Sequence, residues 1–157
     1  MSKSSLAIMF FVIAVVAAGI YLAVGKPTAE ATLSADPSNA ELVAMGRQVY
    51  ASQCAACHGA NLEGQPNWRS RKADGRLPAP PHDASGHTWH HDDNSLFRLT
   101  KFGLAAVVGQ PYETDMPIYE DVLSDEQIWA VLAYIKSRWP DKIRQRQADT
   151  NNRAKGS

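Results

Sequence analysis

Cys54-Ala55-Ala56-Cys57-His58 is the stretch that decides how the rest of this 157-residue chain is read. Two thiols stand three positions apart, and an imidazole follows the second directly. Cys54 and Cys57 are the only cysteines in the chain. A zinc site would therefore lack its second thiolate pair, and a thioredoxin-like pair would need a βαβ setting. The run reads instead as covalent attachment of a c-type haem: each thiol adds across one vinyl group, and His58 stands next in line to bind the iron.

Composition sets the scale around this motif. Sixteen basic and sixteen acidic side chains give a formal net charge of zero, which offers no basis for nucleic-acid binding. Without its N-terminal appendage the chain retains about 110 to 130 residues, the size of one small domain with a limited apolar core. A buried porphyrin would add apolar surface from within. Irregular loops can then be tolerated around it, which suits the Pro- and Gly-rich middle of the sequence.

Leu6 to Val24 (LAIMFFVIAVVAAGIYLAV) contains no charged residue. At about 1.5 Å rise per residue it nearly spans a hydrocarbon layer of about 30 Å, so residues 1–25 are predicted to carry one transmembrane helix. A cleaved signal has an apolar core of only about 7 to 15 residues, although Ala29-Glu30-Ala31 has the form of a cleavage site. Both readings export the domain, and Lys3 places the short N-terminal end inside. Residues 26–37, polar and with two prolines, read as a linker. Residues 38–140 form the domain, and 141–157 a basic tail expected to be disordered.

Helix signals mark the two ends of the domain. Ser38-x-x-Glu41 has the form of a capping box, after which Leu42, Met45 and Val49 recur at helical spacing beside Gly46 and Tyr50. Gly46 costs helix stability, so its use is to admit a second helix at close range. The candidate partner begins at Ser124, with Gln127 closing a second box. Its stripe of Ile128, Val131, Leu132 and Ile135 continues to Trp139 before Pro140, with Trp129 and Tyr134 on the flanks. A shorter helix is expected over Ser95–Phe102, capped by Asp93 or Asn94 and stopped by Gly103, with apolar Leu104–Val108 continuing the wall.

From Asn39 to Trp139 these features stand in the order found in class I c-type cytochromes: the capped helix with Gly46 and Tyr50, the Cys54–Gly59 motif, a later Met116-Pro117, and the last helix with Trp129, Tyr134 and Ile135. The chain resembles that family. The resemblance implies an all-α fold, with N- and C-terminal helices crossing near-perpendicularly and loops wrapping one covalent haem c. It also implies attachment on the outer side of the bacterial cytoplasmic membrane, hence a single-pass protein with its haem domain in the periplasm.

Met116 is the candidate for the second axial ligand, since a thioether opposite an imidazole is the electron-transfer arrangement of cytochromes c. Of four methionines, Met1 and Met9 belong to the membrane segment or its lead-in, and Met45 lies too close before Cys54. Family likeness further implies a proline carbonyl accepting a hydrogen bond from the proximal imidazole, with Pro78 and Pro80 as candidates. They lie in an irregular basic loop, Arg69–Pro81, whose arginines and Trp68 are either solvated or in contact with haem propionates.

His82, His87, His90 and His91 fall within ten residues beside Trp89 and several aspartates. Three functions fit this cluster: a copper or zinc site, propionate recognition by His or Trp89 ring N–H groups, or a histidine replacing Met116 on the iron. A loop without a role is the fourth reading. The expected function is a membrane-tethered mono-haem carrier of single electrons and not an enzyme, its donors being quinol-oxidising complexes or dehydrogenases and its acceptors terminal oxidases. Two rivals stand beside it: a haem enzyme or fixed oxidoreductase subunit, and a metal-handling protein. Charge places Glu113, Asp115, Glu120, Asp121, Asp125 and Glu126 on the Met116 side, an expected acidic patch for a basic partner.

Overall fold

The computed structural model describes residues 33–156, so the Leu6–Val24 segment lies outside the described residues. Among those described, the secondary structure is helical without strands, and no helix is long and apolar enough to cross a membrane. The α-helices are α1 (Ala40–Val49), α2 (Ala55–His58), α3 (Asp93–Phe102), α4 (Leu104–Val108), α5 (Asp125–Ser137) and α6 (Asp141–Lys155). A π-helical turn, Tyr50–Cys54, joins α1 to α2, and one 3₁₀ turn covers Thr88–His90.

α1 starts one residue later than its capping box predicts. Asn39, not Ser38, is the cap, and its side-chain oxygen accepts from the amides of Glu41 and Leu42 at 3.1 Å each. Ser38 is drawn away by Asp36, whose carboxylate takes both its amide and its hydroxyl proton. α3 likewise begins earlier than expected, because Asp92 accepts from the amide and hydroxyl of Ser95 at 3.0 and 2.6 Å. The Ser124–Gln127 box at the start of α5 forms in both directions, 2.9 and 3.2 Å, as its sequence predicts.

α1 and α5 make the largest helix–helix contact of the domain. A Cβ built on Gly46 would stand 1.9 Å from the Ala130 carbonyl oxygen, so these backbones touch only because residue 46 is glycine. Val49, Ile128, Val131 and Ile135 fill the adjoining core, and each is buried. On the flanks of α5, Tyr134 packs on Tyr50 with ring centroids 5.4 Å apart, and Trp129 stacks on Phe97 of α3 at 4.5 Å.

Two segments are more ordered than the sequence implied. Within the linker, Ala35 is 2% exposed and joins the core, so residues 33–37 belong to the folded unit. The basic tail is not disordered: Pro140 opens α6, a helix of fifteen residues. Ile143, Gln147 and Asn151 lie four apart on one face of it. Ile143 packs on the core, and the amides of Gln147 and Asn151 both donate to Asp93 at 2.7 and 3.0 Å. Composition gave no sign of this because the docking is polar.

Candidate haem-binding site

The helix carrying the two thiols changes pitch as it reaches them. The π turn spans Tyr50–Cys54, α2 carries Ala55–His58, and Gly59 ends it at φ +82°, a conformation that favours glycine. Three aromatic donors fix this corner. The Tyr50 hydroxyl donates to the Gly59 carbonyl at 2.9 Å, the Tyr119 hydroxyl to Gln53 at 2.8 Å, and the Trp139 indole to the His82 carbonyl at 2.7 Å. Tyr119 is one that sequence reading missed, since nothing in its loop has a period. Burial raises the phenols of both tyrosines, that of Tyr119 to about 12, so each stays protonated and able to donate.

Cys57 is exposed and Cys54 partly buried, and neither is in a disulfide. Burial, with Cys57 beside it, pushes the Cys54 thiol up to about 11. His58 is 9% exposed. Between Pro78 and Pro80, the structure selects Pro80: its carbonyl lies 2.8 Å from His58 Nδ1. A carbonyl only accepts, so Nδ1 carries the proton and Nε2 keeps the lone pair that a metal ligand needs. Burial lowers the pKa of His58, opposed by the Pro80 bond, and the ring stays neutral near pH 7.

The four clustered histidines separate. His82 lies face to face with His58, centroids 3.9 Å and planes 24° apart. Two axial ligands of one iron point at each other from opposite faces of a macrocycle, so a ring stacked in this way is not the partner of His58 across the iron. Burial, then the neighbouring His58 and His87, hold the His82 pKa well below its usual 6.5. His87 stacks on Trp68 at 5.4 Å and His90 on Trp89 at 3.7 Å. Among the described residues, no group of three or more His, Cys, Asp or Glu is placed to hold a metal ion. Each imidazole has been taken up by a neighbouring ring instead.

Met116 lies partly buried in an irregular loop and packs against the core. The loop before it is latched to the basic turn after the motif. Lys72 and Arg76 both reach Asp115 at 2.6 Å, and Arg76 also reaches Glu113 at 3.1 Å. These cations hold the Asp115 carboxyl below the usual range. Part of the expected acidic patch is thereby neutralised, and the basic loop turns out to be its counter-charge. Trp68 and Arg69 are engaged with each other, the guanidinium 4.1 Å from the ring centroid.

A family model described as cytochrome c matches residues 43–139, more than half of the chain, from within α1 to Trp139. The chain belongs to the cytochrome c family. Membership implies covalently bound haem c, and Cys54, Cys57 and His58 supply its C-x-x-C-H motif. The donor set fits that group: Cys54 and Cys57 are in no disulfide, and His58 keeps the Nε2 lone pair free while Nδ1 is engaged by Pro80. Trp89 Nε1 is the one buried side-chain nitrogen or oxygen among the described residues without a hydrogen-bond partner, and its ring lies against His90 and Arg146.

A stretch of 59 residues is 39% identical to the cytochrome bc1 complex cytochrome c subunit of Mycobacterium bovis, and equally to that of two Mycobacterium tuberculosis strains. It covers 38% of this chain and 21% of those relatives, so the match spans about a fifth of their length. No solved structure matches this cytochrome c.

Proposed function

We propose that this protein is a membrane-tethered, mono-haem cytochrome c that carries single electrons between respiratory redox complexes. The observation that carries the reading is the bond between His58 Nδ1 and the Pro80 carbonyl at 2.8 Å. It fixes the tautomer and presents Nε2 as a neutral ligand, next to two thiols at the required spacing. Bound haem c supplies a one-electron iron couple. The chain's part would be to hold it, Cys54 and Cys57 through thioether links and His58 and Met116 as ligands to its iron.

Thioether and imidazole ligands are those of electron carriers, and with both His58 and Met116 bound the iron would keep no open position for a peroxidase. The mycobacterial relatives are by name cytochrome c subunits of a bc1 complex, which supports respiratory complexes as partners. A quinol-oxidising complex or dehydrogenase would then be the donor and a terminal oxidase the acceptor. In the same reading Leu6–Val24 is the anchor, in the bacterial cytoplasmic membrane, with the haem domain on the periplasmic side. Mass spectrometry of the mature protein tests retention of the anchor.

The axial pair is tested by the weak far-red band that methionine ligation gives ferric haem. Its presence in the wild type and loss in Met116→Ala is the expected result. A wild type without the band would overturn Met116 as ligand and with it the carrier reading.

A further inference from the structure

Pro80 and His82 are two residues apart and approach one imidazole from different directions. The Pro80 carbonyl accepts a hydrogen bond from His58 Nδ1–H at 2.8 Å, while the His82 ring covers the face of that imidazole at 3.9 Å. His82 is itself tightly held. Its amide donates to the Leu62 carbonyl at 2.8 Å and its own carbonyl accepts from Trp139 at 2.7 Å. Its Nδ1 is hydrogen-bonded to the buried Thr88 hydroxyl at 2.9 Å, and Tyr50 meets the ring edge-on at 6.3 Å.

A hydrogen bond along Nδ1–H fixes where that nitrogen points but tolerates rotation of the ring plane about the bond direction. A flat ring packed on the face at van der Waals distance does not tolerate it. The two contacts are therefore complementary: Pro80 aims the His58 imidazole, and His82 sets its rotational angle. An aliphatic side chain in the same space would be free to change rotamer, whereas the Thr88 bond holds His82 by its polar edge.

We propose that His82 is a positioning residue for the proximal ligand, fixing the plane of the His58 imidazole and through it the redox poise of the iron. This rests on His58 being an axial ligand. The ligand plane determines how the imidazole π orbital meets the iron orbitals, so it is read directly in the spread of haem-methyl proton shifts of the ferric protein.

The test uses the full-length holoprotein and two variants, His82→Leu and Thr88→Val. The first removes the stacked ring; the second removes only the hydrogen bond that holds it. In His82→Leu the haem-methyl spread changes and the redox equilibrium with a fixed mediator shifts by about threefold or more. Thr88→Val changes both in the same direction by less. Wild-type shifts and wild-type equilibrium in both variants would overturn the proposal. If His82→Leu does not fold, Thr88→Val decides alone. Neither substitution touches the residue on the opposite side of the iron, so the difference between variant and wild type reports the proximal ring, and a missing far-red band in the wild type counts against Met116 and leaves this test intact.

Discussion

Lys136 on α5 donates to both carboxylate oxygens of Asp93 on α3, at 2.8 and 2.7 Å, and is only 8% exposed. The same carboxylate receives the side-chain amides of Gln147 and Asn151 from α6. Three helices thus meet on one charge. Asp93→Ala leaves a buried ammonium unpaired, and the expected loss is about 3 kcal/mol. The urea midpoint of the holoprotein measures it, and a loss under about 1 kcal/mol would show that the cluster is replaceable.

Gly46→Ala pits two effects against each other. In an exposed helix alanine would be favoured by about 1 kcal/mol. Here the added Cβ meets the Ala130 carbonyl oxygen at 1.9 Å and Tyr134 Cβ at 2.9 Å. Separating α1 from α5 dominates, and a net destabilisation of about 2 kcal/mol or more is expected in thermal or urea unfolding.

Asp92 caps α3, and its pH dependence has a definite sign. Burial pushes its pKa up, but the bonds from Ser95 outweigh that and hold it below 3.8. A carboxyl lowered on folding stabilises the protein above its unfolded value, and that stability is lost as pH falls through 3.8 and then through the folded value. Asp92→Ala is expected to cost about 1 kcal/mol at neutral pH. The gap from wild type should close below about pH 4, as followed by urea titration at several pH values.

α6 depends on one buried amide, since Gln147 is 1% exposed. Gln147→Ala removes a donor to Asp93 and is expected to destabilise by about 1 to 2 kcal/mol. Limited trypsin digestion at Arg146 and Arg153 should accelerate in the variant. Equal digestion rates would mean that Asn151 and Ile143 dock the helix without it.

Arg76 masks Asp115 and Glu113, so its removal should create the acidic patch that charge order alone predicts. Arg76→Gln is expected to speed reduction of hexaammineruthenium(III) by the ferrous protein at low ionic strength. The gain over wild type should vanish as salt rises. Stopped-flow rates at several salt concentrations test it, and a variant slower than wild type at low salt would contradict the masking.

What was legible in the sequence were features with a period or a fixed spacing. The motif, the Ser124–Gln127 box and the Gly46 contact follow from short-range patterns that physics ties to one geometry. Pro80 could be narrowed only to a pair, because a carbonyl's direction depends on the path of a loop. α6 was illegible for a different reason: its buried face is Ile143, Gln147 and Asn151, and amides at core positions read as solvent-facing until Asp93 is placed opposite them. The histidines were ambiguous for another reason. Proximity along the chain left a metal site, propionate contacts, haem ligation and no role all open, while the fold gives His87 and His90 each a tryptophan and His82 the proximal ring.

The π turn between α1 and α2 has a consequence for register. An α-helix advances about 100° per residue, so a wider turn inserted in it offsets everything beyond by about one residue's rotation. The face of α1 that packs on α5 and the face of α2 that presents Cys57 and His58 are therefore out of phase, as two jobs on one continuous rod require. The Gln53 carbonyl inside that turn accepts the Tyr119 hydroxyl, and Ser52 bonds back to Gln48 and Val49. Deleting any one residue of Ala51–Gln53 would restore an unbroken α-helix and swing Cys54, Cys57 and His58 away together, a whole-motif rotation that no single side-chain substitution reproduces.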